Sequence, residues 1–202
     1  MKKLISITLA IALLISISAI LSGCNTKEAQ KVGDTLDFGG YSWRILDITE
    51  GKALIITEDI IELRYFDTKT DDLLAPRNWA TCELRRYLNG EFYNKFSSDE
   101  KARISETKNT TPNNPEHGTN GGADTTDKVF LLSVNEVETY FKTVKDRIAT
   151  YEGTANYWWL RSPGRREYDT AHVWVQGDIF YSFHGEYMGI KGGVRPALWL
   201  TL

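Results

Sequence analysis

The residues with the clearest chemical potential lie near the C-terminus, where positions 157–164 read YWWLRSPG. Ser162 would need a base to act as a nucleophile, and His172 and His184 follow it in the sequence. A serine hydrolase places its nucleophile in a G-x-S-x-G turn between strand and helix, whereas Ser162 precedes the turn dipeptide Pro163-Gly164. No spacing ties either histidine to Ser162 in the manner of a catalytic triad. We therefore predict no catalytic serine.

Residues 105–127 form a long segment with almost no apolar side chains, and an irregular segment of this length is usually functional or disordered. Zinc is not predicted, because the three histidines lack the H-E-x-x-H spacing and no C-x-x-C pair is present. Calcium takes oxygen ligands from loops, but the EF-hand spacing is absent. We predict no cofactor, with calcium as the alternative. The candidate calcium ligands are Asn114, Glu116, Asp124 and Asp127.

Aromatic side chains make up 12% of the chain. The stretch AHVWVQ alternates as a strand does, and Gly177-Asp178 predicts a two-residue hairpin turn before IFYSFH. That register places Trp174 opposite Tyr181 and His172 opposite Phe183 on one face. Exposed aromatic side chains mark binding surfaces, but the same rings pack equally well in a core. Both interpretations stay open at this point.

A second feature supports a binding surface, because the charged loop RREYD at 165–169 follows the Ser-Pro-Gly turn. Sugar rings stack on aromatic side chains, so a glycan is a plausible ligand for such a surface. The predicted ligand-binding residues are Trp174, Tyr181, Phe183, His172, Arg165, Arg166 and Tyr168.

The N-terminus has the pattern of a targeting segment. Lys2 and Lys3 precede an apolar run from Leu4 to Ile20, and Leu21-Ser22-Gly23 leads directly to Cys24. This arrangement resembles the bacterial lipobox, in which the signal is cut before a cysteine that receives lipid. A membrane-spanning helix is the alternative, but about 17 apolar residues lie at the lower limit for a span.

We therefore predict a signal peptide at 1–23, a lipidated tether at 24–32 and one globular domain at 33–202. The protein is expected at the cell membrane, on the extracytoplasmic face, attached through lipid on Cys24. A net charge of −3 provides no basic stripe for nucleic acid. With Cys24 lipidated, Cys82 has no disulfide partner within the chain, and we expect it to be a buried small residue. The sequence specifies no oligomeric state.

The pattern of elements predicts an α+β fold. Strands are predicted over 35–57, with a turn at 49–52, and from Asn156 onward. Helices are predicted within 79–104, with a stop at Asn89-Gly90, and after the buried strand 129–132. Two helix starts carry capping boxes, Ser97 with Glu100 and Ser133 with Glu136. Because strands and helices do not alternate as βαβ units, a parallel doubly wound sheet is not expected.

Five ordered blocks resemble a bacterial domain of unknown function that is common in secreted and lipid-anchored proteins. The resemblance extends from Gly33 to Leu202 and implies a fold, not an activity. The blocks are FGGYSWRILD, LRRYLNGEFY, DTTDKVFLLSVNEV, WWLRSPG and GGVRPALWL. We interpret the last two as structural, with arginine forks that hold carboxylates or backbone carbonyls. Their residues are Trp158, Trp159, Arg161, Pro163, Gly164, Arg195 and Pro196.

The layout is also similar to the C-type-lectin-like fold of the formylglycine-generating enzymes. That similarity implies that Gly193-Val194-Arg195 belongs to the closing strand. The enzymes use a cysteine pair, whereas the globular part of this chain has Cys82 alone, so their activity is not expected. Calcium-dependent lectins carry E-P-N or Q-P-D with W-N-D, and here Asn114-Pro115-Glu116 is reversed and W-N-D is absent.

We favour a lipid-anchored binding module, not an enzyme, with a glycan, a cell-wall component or a protein as its ligand. The enzyme alternative would act on envelope polymers through two carboxylates in one cleft. Asp178 or Glu186 would then meet Asp124 or Asp127. A further alternative is an accessory structural lipoprotein that binds no small ligand.

Overall fold

The computed structural model describes residues 29–68, 78–181 and 190–202. The fold is α+β, as the sequence predicts. Cys24, Phe183, His184 and Glu186 lie outside the described residues. Within the described part of the chain, no helix has the length and apolar character needed to cross a membrane.

Thirteen short strands and three α-helices make up the described fold, with short π and 3₁₀ turns after α1 and a 3₁₀ turn between α3 and β7. The strands are β1 (Thr35–Phe38), β2 (Tyr41–Thr49), β3 (Lys52–Thr57), β4 (Glu62–Arg64), β5 (Thr107–Asn109), β6 (Thr125–Asp127), β7 (Ala149–Tyr151), β8 (Thr154–Asn156), β9 (Trp158–Pro163), β10 (Thr170–Val173), β11 (Ile179–Phe180), β12 (Gly192–Val194) and β13 (Ala197–Thr201). The helices are α1 (Glu83–Tyr87), α2 (Ser98–Arg103) and α3 (Val134–Tyr140).

The first sheet has the order β1-β2-β3-β13. Its β2–β3 hairpin closes where the sequence predicts, with Thr49 opposite Lys52. Glu50 and Gly51 both have positive φ angles, 49° and 74°, as the two-residue turn that suits the twist of a hairpin requires. A bulge between Ile45 and Asp47 interrupts the alternation of β2.

The second sheet has the order β11-β10-β9-β12-β4, with β9 and β12 parallel and the other neighbours antiparallel. Every residue of β9 is buried. Arg195 and Pro196 connect β12 in this sheet to β13 in the first sheet. Aromatic and aliphatic side chains from both sheets and from the helices form one continuous core.

Both predicted capping boxes are present, at the starts of α2 and α3. The predicted helix end at Asn89-Gly90 is wrong, because α1 continues through a π turn over Leu88–Phe92 and a 3₁₀ turn over Tyr93–Lys95. Asn89 does not terminate the helix; its side chain accepts hydrogen bonds from the backbone N–H groups of Lys128 and Val129. The predicted strand at 129–132 is buried, but it forms one isolated bridge, from Phe130 to Ala197.

Candidate functional site

The main candidate site is a cleft between two loops. The first, here called the polar loop, is residues 110–124 between β5 and β6, and the second, the arginine loop, is residues 164–169 between β9 and β10. The cleft between them has a volume of about 520 Å³ and opens to solvent. We refer to it as the loop cleft. It is lined by His117, Gly118, Thr119, Asn120, Arg165, Arg166, Glu167 and Tyr168.

The polar loop is tied to the rest of the protein by Asn114, whose side chain is 2% exposed. Its amide nitrogen donates to the carbonyl oxygens of Pro163 (3.0 Å) and Gly164 (3.2 Å). Its amide oxygen accepts from the backbone N–H groups of Glu116 and His117, both at 2.9 Å. A single buried amide therefore shapes the polar loop and attaches it to the arginine loop.

The ends of the predicted irregular segment are ordered as a small sheet, in which β5 pairs with β6. That pairing brings Asp127 into the interior, with 1% of its surface exposed. Its carboxylate accepts hydrogen bonds from Trp79 Nε1 (3.0 Å), Arg85 Nε (2.6 Å), Asn109 Nδ2 (3.0 Å) and Thr125 Oγ1 (2.6 Å). The carboxylate thus holds both strands against the start of α1, and its oxygens are occupied by protein donors.

The arginine loop is fixed by its own backbone. Gly164 N–H donates to the carbonyl of Asp169 (2.9 Å), and Asp169 N–H donates to the carbonyl of Arg166 (2.9 Å). A Cβ atom at Gly164 would lie 2.3 Å from the carbonyl oxygen of Tyr181, so the Ser-Pro-Gly turn requires glycine there. The side chain of Arg166 bonds to the Asp169 carboxylate (2.9 Å), which raises the pKa of Arg166, and lies over the ring of Tyr168 at 4.5 Å.

Arg165 lies where three segments meet. Its N–H donates to the carbonyl of Tyr181 (2.6 Å), and its carbonyl accepts from Thr119 Oγ1 (2.8 Å). Its side chain is exposed. The ring of Tyr181 meets the His117 imidazole edge-on at 6.0 Å. Burial raises the pKa of Tyr181, and the nearby carboxylates of Glu116 and Glu138 add to the effect.

The predicted register of the β10–β11 hairpin is wrong. His172 pairs with Phe180 and Val173 with Ile179, so the connection has more than two residues. Trp174 N–H donates to the carbonyl of Asp178 (2.7 Å), and Gly177 N–H donates to the carbonyl of Trp174 (2.8 Å). Gly177 has a φ angle of 92°, as expected for the left-handed residue that follows a type I turn in a three-residue hairpin loop.

His172 consequently lies inside an aromatic cluster and is 1% exposed. Burial lowers its pKa to about 4. Trp174 is partly buried and stacks on Tyr157, with ring centroids 5.8 Å apart. We call this group the aromatic cluster; its described members are Tyr157, Trp159, His172, Trp174 and Phe180.

Of the predicted ligand-binding residues, the loop cleft contains Arg165, Arg166 and Tyr168, with Tyr181 beside it. His172 and Trp174 belong to the aromatic cluster instead.

The four candidate calcium ligands do not form one group. Asn114 and Asp127 are buried and use their side-chain oxygens as described above. Asp124 pairs with Lys108 at 3.0 Å, and hydrogen bonding to that lysine lowers the pKa of Asp124. Glu116 lies beside His117, at 3.7 Å. Among the described residues, no group of three or more His, Cys, Asp or Glu side chains is arranged to hold a metal ion.

The carboxylates named for the enzyme alternative are also dispersed among different partners. Asp178 is exposed in the β10–β11 turn, while Asp124 and Asp127 have the partners given above. A second cleft of about 430 Å³, which sequence reasoning missed, contains the carboxylates of Glu62 and Glu83. Glu62 accepts from the Tyr87 hydroxyl, and Glu83 accepts from the backbone N–H of Thr68 (3.0 Å).

The two arginines of the C-terminal blocks donate hydrogen bonds to backbone carbonyls of neighbouring segments. Arg161 is 3% exposed and donates to the carbonyls of Leu131 (2.8 Å) and Thr110 (3.2 Å) and to the Glu136 carboxylate (2.7 Å). Arg195 is fully buried and donates to the carbonyls of Thr57 (2.8 Å) and Glu58 (3.0 Å).

Burial lowers the pKa of Arg195 to about 10. The indole N–H groups of Trp158 and Trp159 donate to the carbonyls of Arg147 and Arg64, both at 2.9 Å. These side chains bond within the protein, and all four are buried.

The family comparison matches residues 50–202 to the model described as "Domain of unknown function (DUF6273)". The chain belongs to this family. The match includes both loops of the cleft and the strands that carry them, whereas β1 and all of β2 precede it. No curated protein and no solved structure matches this DUF6273 chain.

Proposed function

We propose that this DUF6273 protein is a lipid-anchored extracytoplasmic binding module that recognises a cell-wall glycan in the loop cleft. The observation that carries the proposal is the attachment of the polar loop to the arginine loop by Asn114 and Thr119. Both walls of the cleft are fixed before a ligand arrives, and a preformed site loses less conformational entropy on binding.

The composition of the cleft fits a sugar ligand. Tyr168 and His117 offer ring faces or edges, and Thr119, Asn120, Arg165 and Glu167 offer polar groups for hydroxyl recognition. The site is open and shallow, unlike the enclosed apolar pocket that a drug-sized apolar molecule would need. A long glycan crossing the surface could occupy such a cleft without being engulfed.

The proposed anchor is lipid on Cys24, supported by the lipobox-like sequence. The fold has begun by Gly33, whose N–H donates to the carbonyl of Ile45 (2.9 Å). The tether 24–32 therefore spans at most about 30 Å when extended. Replacing Cys24 with Ser should abolish incorporation of labelled fatty acid and leave the leader 1–23 on the chain, because both cleavage and lipid attachment need the cysteine. Fatty-acid labelling of the serine variant at the wild-type level would contradict the anchor.

The finer fold assignment is part of the same proposal: the domain is C-type-lectin-like. Its support is the capped helix α3 directly after the buried segment 129–132, with Gly193, Val194 and Arg195 leading into the last strand. In this arrangement the long polar loop projects beside the strands of the second sheet.

A panel of cell-wall fragments and neutral oligosaccharides tests the binding function. The full chain, purified in detergent, should show saturable binding to at least one glycan with and without calcium, because the cleft uses protein side chains. Binding that vanishes on calcium chelation would contradict the predicted absence of a cofactor. Absence of saturable binding to the whole panel would contradict the proposed function.

A further inference from the structure

We infer that the loop cleft binds an anionic group of its ligand, a carboxylate or a phosphate, through the guanidinium group of Arg165. This inference rests on the proposed function and names the class of glycan that the site takes: an acidic one, not a neutral one. Arg165 provides the first argument. Its backbone is held on both sides, by Tyr181 and Thr119, whereas its side chain is exposed and has no hydrogen-bond or ion-pair partner among the described residues.

The neighbouring arginines show the contrast. Arg166 is paired with Asp169, and Arg161 is paired with Glu136. Both guanidinium groups therefore have a carboxylate within the protein. Arg165 has the same planar donor fork, which suits a bidentate contact with a carboxylate or phosphate. Since its Cα position is fixed, a ligand anion can engage the fork at the cost of ordering one side chain.

The charges around Arg165 define the kind of anion. Glu167 is exposed two residues along the same loop, Asp169 is occupied by Arg166, and Glu116 lies across the cleft beside His117. The cleft is therefore mixed in charge and not a broad basic surface. A mixed surface does not attract a polyanion by its overall field. It suits one localised anionic group placed on Arg165, with the uncharged parts of the ligand on Tyr168 and Thr119.

The test uses a matched pair of disaccharides. N-acetylglucosaminyl-N-acetylmuramic acid carries a lactyl carboxylate, and N,N′-diacetylchitobiose has a closely similar neutral framework without it. Glycerol phosphate serves as the phosphate source. Titration of the full chain in detergent should give about threefold to fivefold tighter binding of an anionic probe than of chitobiose, the upper range for one charge-assisted bidentate contact with an exposed side chain.

Three variants locate the effect. Arg165→Gln should remove the preference for the anionic probe. Lys52→Gln makes the same change in charge at an exposed position on β3, in the other sheet, and should leave the preference intact. Glu167→Gln removes a nearby negative charge and should strengthen binding of the anionic probe by about twofold to threefold, a typical gain for one exposed charge.

The outcomes separate the inference from the proposed function. A preference for the carboxylate disaccharide or for glycerol phosphate that is lost in Arg165→Gln supports the inference and identifies the source of the anion. Equal affinity of the wild type for the neutral and anionic probes, unchanged in Arg165→Gln, overturns it while leaving a glycan-binding function in place. No binding of either anionic probe also overturns it, and the wider glycan panel then decides the proposed function separately.

Discussion

The aromatic cluster and the arginine loop of the loop cleft are adjacent in sequence, but the cluster and the cleft differ in what their side chains do. The cluster comes from regular strands, and its rings meet one another, as His172 does with Tyr157 at 5.6 Å. The loop cleft comes from irregular segments whose backbones are tied together, which leaves Arg165 and Glu167 exposed. Aromatic content alone therefore does not show which side chains are exposed to solvent. In the loops of the cleft, backbone hydrogen bonds hold the chain while side chains stay exposed.

The largest expected effect comes from the aromatic cluster. Trp159→Ala removes a ring that is 2% exposed and an indole bond to the Arg64 carbonyl. We expect the free energy of unfolding to fall by about 3–5 kcal/mol, as measured by urea denaturation. Phe180→Ala, at an edge position that is 37% exposed, is the matched control and should cost far less. Equal losses for the two variants would show that the cluster does not pack as described.

Burial of His172 predicts a dependence of stability on pH. The pKa of His172 is lowered to about 4 in the folded protein, against about 6.5 when unfolded. The unfolded state then binds more protons between these values, so stability is complete above pH 6.5 and falls as the pH drops toward 4. The loss from this residue approaches about 3 kcal/mol below pH 4.

Urea denaturation of the wild type and of His172→Phe at pH 7, 5.5 and 4.5 measures this contribution. The unfolding free energy of the wild type should fall relative to that of His172→Phe as the pH drops, because only the wild type contains His172. The carboxylates titrate in both proteins, so their contribution cancels in the difference. A constant difference would indicate that His172 is not buried in its neutral form.

A smaller effect is expected within the loop cleft, where Asn114 attaches the polar loop to the arginine loop. Asn114→Ala removes four hydrogen bonds of a buried amide, and we expect a loss of about 1–3 kcal/mol. The polar loop should also become a site of limited proteolysis, since its attachment to Pro163 and Gly164 is lost. Asn120→Ala, which removes one exposed bond to Gly122 N–H, is the control. Unchanged protease resistance in Asn114→Ala would contradict the attachment.

Local signals in the sequence predicted much of the fold. The β2–β3 turn and the two capping boxes depend on residues within three or four positions of one another, and they are present. The β10–β11 register was mispredicted because Gly177 is compatible with two turn types, and local sequence does not distinguish them. The Asn89-Gly90 stop failed for a different reason, since Asn89 bonds to residues nearly forty positions away.

The candidate site was also predictable only in part, because local sequence does not reveal hydrogen bonds between residues that are far apart in the chain. The charged loop at Arg165 and the polar segment around Asn114 could each be recognised by composition. Their meeting depends on hydrogen bonds between residues about fifty positions apart. Asp127 illustrates the limit most clearly, because its bonding partner Trp79 lies 48 residues earlier, and a carboxylate that looks like a metal ligand in sequence is a structural acceptor in the fold.

The most direct test of the central claim compares Tyr168→Ala in the loop cleft with Trp174→Ala in the aromatic cluster. Both variants are titrated with a glycan that the wild type binds, and their thermal stability is measured alongside. We predict that Tyr168→Ala weakens binding by about tenfold with little change in Tm, as loss of an interface aromatic does. Trp174→Ala should lower Tm while leaving the affinity of the folded protein within about twofold, because its ring stacks on Tyr157. The opposite result, with binding lost in Trp174→Ala and kept in Tyr168→Ala, would move the site to the aromatic cluster and contradict the account.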